Sequence, residues 1–380
     1  MRILVAHLVS PDRTGGMSRL MGSAHDELER AGHAITYLTA ADVPPLTRGR
    51  AGRFLFPLAV RRMVLHAARS GRPYDVVNVH EPHGAAVAAL RRGQNGTAVV
   101  AMTHGVEQRG WELALSAREM RPALRTRWLY PLSSLWQSRL ALTHADHVIC
   151  LNTEDREFLQ ARFRLDPGRV SRVTPGAAAV FARAAAHRTY DSARHLLFAG
   201  TWIPRKGTHL LAEAFSRLCA SGVDLQLDVL GAGAAADSVR AAFPPQWQSR
   251  IRVTEARGDR AIAAAMAAAD IFVLPSLFEG TPLTLIEAMW SGLPVVTSDT
   301  AGMRDVVRDG VDGLLVPPRD ATALAGAISR LVHAAPLRRQ LGTNAHATAS
   351  RSYTWRRTAE DFESAYRAAR EHHAAAVHHG

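Results

Sequence analysis

Cysteine is almost missing from this 380-residue chain: Cys150 and Cys219 are the only two. Two thiols cannot build a disulfide framework or a cysteine-rich metal cluster. Long hydrophobic runs are missing as well. No apolar stretch reaches the ~18 residues that a spanning helix needs. The most apolar one, 261–275, is interrupted by Asp270. The opening MRILVAHLVSPD lacks the apolar length and small-residue cleavage site of a secretory signal. The expected location is therefore cytoplasmic, with any peripheral membrane contact at the inner face. Lysine is scarcest of all. Of 46 lysine and arginine residues, Lys206 is the only lysine.

The formal net charge is +12, yet no Lys/Arg block of five occurs and no nucleic-acid-binding motif is visible. Nucleic acid is not an expected partner. An Ala- and Arg-rich composition supplies arginine without selection for charge, which makes the surviving lysine informative. Arginine is a planar fork, whereas lysine is a compact charge on a flexible stem, suited to a pyrophosphate. A hydrophobic content of 47% with 21% charged residues excludes a disordered chain.

Strand-like and helix-like patterns alternate throughout, as in α/β proteins with parallel sheets. Strands are predicted at 2–8, 34–38, 75–79, 97–102, 147–151 and 170–173, and helices at 17–31 and 153–163. After an Ala-rich stretch at 175–191, read as a linker, a second series begins. Its predicted strands are 195–198, 225–230, 251–253, 271–274, 295–297 and 313–316. Its predicted helices are 209–220, 234–243, 260–269, 282–290, 321–333 and 336–347. The expected domains are 1–178 and 192–350, with a last helix at 353–370 packing back onto the first. Two open α/β units of similar size suggest Rossmann-like domains facing a cleft, with ligands beyond the carboxyl ends of strands.

Two loops meet that condition. GTWIPRKG, 200–207, follows a strand and opens a helix, so Arg205 and Lys206 put two cations where exposed amides already favour an anion. EGTPLTLIE, 279–287, follows another strand. Thr281 reads as its N-cap and Pro282 as its first helical residue, leaving amides of Thr281, Leu283 and Thr284 for a phosphate. Glu279 and Glu287 bracket that anion site. Carboxylates fit there if the ligand also carries sugar hydroxyls.

With these residues in place, the chain resembles retaining glycosyltransferases of the GT4 class, with the GT-B fold. GTWIPRKG, DVLGAG and the run from ADIFVLPSLFEGTPLTLIEAMWSG to VPPRD carry the likeness in the second half. In the first half it rests on Gly15–Gly16, RAGHAITYL, YDVVNVHEP, THG at 103–105 and ADHVICLNTEDREFL. The resemblance implies a hexosyltransferase of class EC 2.4 that moves sugar from a nucleotide-diphosphate donor to an acceptor hydroxyl. The acceptor, a glycan, a lipid-linked molecule or a small molecule, is left open. The resemblance also implies roles. Lys206 and Arg205 bind the donor diphosphate, and Gly16 approaches it. Glu287 holds the ribose, and Glu279 holds the transferred sugar, with main-chain contacts from Gly280, Thr281 and Leu283. His104 stabilises or orients the sugar. Catalysis falls to His104, Lys206 and Glu279. The family needs no metal or other cofactor, and no Asp-x-Asp motif is present.

Two departures stand out. Thr201 occupies a position that is usually Arg, and 175–179 reads PGAAA where Pro-Asn-Gly-Val-Asp is usual. They keep open a GT-B-shaped binding or scaffold protein without turnover. Weaker signals are set aside. Gly231–Ala236 half-matches a dinucleotide fingerprint but follows the wrong strand. His80-Glu81-Pro82-His83 has the wrong spacing for zinc and reads as a strand-end turn. His144 and His147 need only surface or capping roles. Main chain near 255–258 is a candidate for the base. Finally, 109–139 mixes six arginines with Trp111, Trp128, Tyr130 and Trp136. That mixture suits either helices packed on the sheet or weak contact with a membrane interface.

Overall fold

The computed structural model describes residues 1–8, 15–39, 41–43, 52–88, 96–117, 120–255 and 258–378. Residues 9–14 just before Gly15, the centre of 255–258, and residues 118–119 lie outside the described residues. The chain forms two compact units, 1–174 with 355–380, and 175–354.

The first unit holds β1 (Arg2–Ala6), β2 (Ala34–Leu38), β3 (Val76–His80), β4 (Ala98–Met102), β5 (His147–Cys150) and β6 (Val170–Arg172). They form one parallel sheet in the order β2-β1-β3-β4-β5-β6. Every residue of β3 and β4 is buried. This is why those strands read as unbroken apolar runs: helices cover both faces of a parallel sheet. Asn152 caps the helix Thr153–Phe163, its Oδ1 accepting from the Asp155 amide at 2.7 Å. A helix at Gly52–Arg69, unforeseen in the sequence, carries Pro57 within it. Proline normally argues against a helix interior. Here burial of Phe56, Val60 and Val64 holds the turns in place.

The last helix runs Trp355–His378, longer than expected, and belongs to the first unit. It packs on the helix Gly16–Arg30 and on β4. Tyr366 is fully buried and its hydroxyl accepts from Asn78 Nδ2 on β3 at 2.9 Å. Asp361 accepts from the Thr174 amide at 3.0 Å, and Thr358 donates back to the Thr174 carbonyl at 2.8 Å. Tyr366→Ala is expected to destabilise the protein by about 3–5 kcal/mol, as loss of a buried aromatic does. Chemical denaturation measures it.

The second unit holds β7 (His195–Ala199), β8 (Gln226–Leu230), β9 (Ile251–Thr254), β10 (Ile271–Leu274), β11 (Val295–Ser298) and β12 (Leu314–Val316). Their order is β12-β11-β10-β7-β8-β9, all parallel. Counted within the unit this is the 3-2-1-4-5-6 arrangement of a Rossmann sheet. The order reverses between β7 and β10.

The stretch 175–191 is not a linker, and both expected domain edges, 178 and 192, are corrected accordingly. It forms a turn at Ala179–Phe181 and a helix at Ala182–Ala186, packed on the helices Asp259–Ala268 and Ala335–Ser352. Phe181 is fully buried. Arg188 donates to the carbonyls of Ser291, Ala269 and Met266 at 2.9, 2.7 and 2.7 Å. Small, Ala-rich composition read as irregular because alanine carries almost no periodic signal.

Candidate active site

Rossmann sheets bind ligands beyond the carboxyl ends of the strands that flank the order reversal. In the second unit those strands are β7 and β10. The two candidate loops of the sequence follow these two strands.

After β7 the chain bends at Gly200, passes a tight turn at Pro204–Lys206 and enters the helix Thr208–Ala220. Gly207 joins turn to helix with φ +67°. A methyl group on Gly207 would overlap the Pro275 carbonyl oxygen, so the lysine loop lies directly against the loop after β10. Two hydrogen bonds hold the loops together. The Leu277 amide donates to the Arg205 carbonyl at 2.8 Å, and Arg205 Nη1 donates to the Phe278 carbonyl at 2.8 Å.

This contact delivers Glu279 to the cations. Lys206 Nζ lies 2.7 Å from one carboxylate oxygen, and Arg205 Nη1 lies 3.2 Å from the other. Glu279 is only 7% exposed. Burial pulls its pKa upward, but Lys206 and then Arg205 outweigh burial and hold the carboxyl below its ordinary value. The group is therefore ionised at neutral pH. A lysine ammonium has three donors, so one bond to Glu279 leaves two for other oxygens.

Thr281 is not the N-cap. The helix runs Leu283–Trp290, and Pro282, with ψ 116°, takes the cap position without a side-chain bond. An N-cap is chosen by backbone angles, and proline's fixed φ is as compatible with that place as with the first helical one. The first-turn amides of Leu283 and Thr284 have no intrahelical acceptor. Gly280 is pinned from behind: a methyl on Gly302 would overlap its carbonyl oxygen. Glu287, on the same helix, is fully buried. Thr201 is exposed, so Arg205 is the arginine that reaches Glu279.

In the first unit Gly16 is the exposed first residue of its helix. His104, just beyond β4, lies 3.0 Å from the Nδ1 of His80 at the end of β3. The His80 ring centroid lies 5.1 Å from that of His7, just beyond β1, the two rings tilted by 39°. Sequence reasoning missed His7 and His80 as partners. The available signal was a histidine at the carboxyl end of each of three strands. Burial, then the charge of His7, lowers the His104 pKa to about 3, so the ring is neutral at physiological pH. Among the described residues, no three His, Cys, Asp or Glu side chains form a metal-binding group.

Glu81, next to His80, accepts from the Ser138 hydroxyl. Burial, then the nearby Glu107 carboxylate, pushes its pKa up to about 8. The folded protein therefore keeps a proton that the unfolded chain releases near 4.5. That contribution is complete below the unfolded value and disappears as pH rises through about 8. His104 acts in the opposite sense: its contribution is lost as pH falls from 6.5 through about 3. Glu81→Gln is expected to gain in melting temperature relative to wild type as pH rises from about 5 to 8. Parallel melting curves test it, and a constant difference would contradict the buried proton.

Two family profiles match the chain. The one described as Glycosyl transferases group 1 matches residues 193–334, and the one described as Glycosyltransferase Family 4 matches 14–178. A D-inositol 3-phosphate glycosyltransferase of Stackebrandtia nassauensis is 30% identical over 259 residues, 62% of this chain and 57% of the relative. The alpha-D-kanosaminyltransferase of Streptomyces kanamyceticus is 25% identical, covering 61% of this chain and 63% of that one. The matches thus span somewhat over half the length of these curated relatives. Among solved structures, sucrose-phosphate synthase of Thermosynechococcus elongatus has TM-score 0.77 and 22% identity, covering 96% of this chain and 98% of its own. HepE of Anabaena, solved with UDP-glucose, has TM-score 0.67 and 17% identity, covering 96% and 98%. Both share the fold.

Proposed function

Because the chain belongs to glycosyltransferase family 4 and has the two Rossmann-like units of the GT-B fold, we propose that it transfers a hexose-type sugar. The donor is a nucleoside-diphosphate sugar, the acceptor a hydroxyl, and the anomeric configuration is retained. The observation that carries this reading is the cross-loop cluster of Lys206, Arg205 and Glu279 at the carboxyl ends of β7 and β10.

Each group has a task that fits its chemistry. Lys206 and Arg205 neutralise the diphosphate, and the first-turn amides of Leu283 and Thr284 add donors at the helix's positive end. Glu279, kept ionised, accepts from hydroxyls of the transferred sugar while Gly280 and Thr281 offer main chain. Glu287 accepts from the ribose, which requires the side chains enclosing it to part. Roles for Gly16 and His104 rest on the family resemblance. A neutral His104 suits hydroxyl binding, not proton donation.

Cleavage of the sugar–phosphate bond places negative charge on the departing diphosphate. Cations and amides already in position stabilise that charge without reorganising. The leaving phosphate oxygen takes the acceptor proton on the same face of the sugar. No protein nucleophile and no metal are needed. HepE was solved with UDP-glucose, which supports a nucleotide-sugar donor here. A scaffold that had lost turnover would have no use for the cluster.

The purified protein is to be incubated with UDP-, GDP-, ADP- and dTDP-sugars, with release of nucleoside diphosphate followed. Release from one donor class is expected. Failure with every donor would remove the transferase reading.

A further inference from the structure

Large apolar side chains exposed singly are ordinary on a protein surface. Here they are concentrated. Eight of the ten exposed among the described residues fall in two short segments of the first unit, 54–58 and 124–136. A third element links the helices that carry them. The helix Gly52–Arg69 packs on the short helix Ala85–Ala88, which packs on the helix Trp136–His144.

The second segment is the more telling. The helix Leu124–Tyr130 has no buried residue at all. It continues through a wide π-helical turn, Pro131–Leu135, into Trp136–His144. Ser134, Leu135, Gln137 and Ser138 turn inward and are buried. The packing expected of an amphipathic helix is thus satisfied on that side. The opposite side carries Leu124, Trp128, Leu132 and Trp136, one every four residues. Leu124 is 72% exposed, and Trp128 and Leu132 are each 76% exposed. The five-residue bond of the π turn, from the Trp136 amide to the Pro131 carbonyl, takes up the drift that a four-residue step accumulates in a regular helix.

Charge identifies the occupant. Residues 120–139 contain Arg121, Arg125, Arg127 and Arg139 and no aspartate or glutamate. All four arginines are exposed. The first segment repeats the theme: Phe54 and Leu58 are exposed on the same helix as Arg61 and Arg62, and no acid occurs from 52 to 69. Tryptophan and leucine flanked by arginine suit the boundary between headgroups and acyl chains of an anionic bilayer. Each arginine near such a surface adds about 1 kcal/mol of attraction. Among the described residues no helix is long and apolar enough to cross a membrane, so the contact lies on the bilayer and does not span it.

We propose that the exposed face of 120–139, with the exposed residues of 54–62, docks the protein on an anionic lipid surface. The test is cosedimentation of the whole chain with phosphatidylcholine vesicles, with and without phosphatidylglycerol. Wild type is expected to sediment with the anionic vesicles, less so as salt is raised. Trp128→Ser combined with Leu132→Ser is expected to weaken binding at least ~10-fold, since two apolar side chains lose their burial in lipid. Both positions are solvent-facing, so its melting temperature should equal that of wild type. Arg125→Glu with Arg127→Glu gives a second, charge-only variant with the same expected loss. Wild type remaining in the supernatant, or variants sedimenting equally, would overturn the proposal. So would a wild-type dimer in gel filtration that Trp128→Ser dissolves, because a second copy would then own this face.

Discussion

Lys206→Ala is expected to lower kcat/KM for the nucleotide-sugar donor by ~100-fold or more, in line with loss of a preorganised group that stabilises developing charge. The loss should appear in kcat as well as in KM, because charge on the diphosphate grows as the sugar departs. The geometry makes two further demands. Lys206→Arg should not restore the rate. The ammonium is a compact charge 2.7 Å from the Glu279 carboxylate, and a bulkier planar guanidinium does not reproduce that placement. Glu279 should also respond. Its carboxyl is held down by Lys206 against the pull of burial, so removing the ammonium lets its pKa rise. Activity left in the alanine variant should therefore fall away at a higher pH than in wild type as the solution is acidified.

Gly207→Ala is expected to be nearly as damaging, although Gly207 has no side chain to offer a ligand. Its φ of +67° already disfavours a side chain, at roughly 1–2 kcal/mol. The overlap with the Pro275 carbonyl then forces the lysine loop away from the loop after β10. Overpacking of this kind costs about 1–3 kcal/mol in stability. The rate should suffer more than the fold, because a small displacement of Lys206 from Glu279 removes the cluster's alignment. A drop of at least ~10-fold in kcat with a folded protein is the expected result. Kinetics and a melting curve on the same sample measure both. Wild-type kcat in Gly207→Ala would show that the two loops need not touch.

The strands were legible because a parallel sheet covered on both faces writes itself as short apolar blocks. All twelve were placed within about two residues, the usual uncertainty of an element's end. The residues of the candidate cluster in the second unit were legible for a different reason. Lys206 stood alone against an arginine-rich background, and Glu279 preceded a helix start. What pattern could not show was that the two meet. That follows from β7 and β10 being neighbours, a fact of topology. The same limit hid the histidines. His7, His80 and His104 are far apart along the chain and converge because β1, β3 and β4 lie side by side. Local chemistry misled at Thr281, which had the side chain of a cap where Pro282 has the backbone of one. The helix Gly52–Arg69 went unread, and with Pro57 inside it only tertiary burial explains it. The alanines of 175–191 concealed a helix that anchors the second unit.

The central claim is that Lys206, with Arg205 and Glu279 beside it, grips the diphosphate of a nucleotide. Calorimetric titration of UDP, GDP, ADP and dTDP into wild type and Lys206→Ala tests it most directly. One of the four should bind wild type saturably, and the alanine variant should bind it roughly 30-fold or more weakly, as when one partner of a buried charge pair is cut away. Equal affinity in the two proteins, or no binding of any nucleotide to wild type, would contradict it.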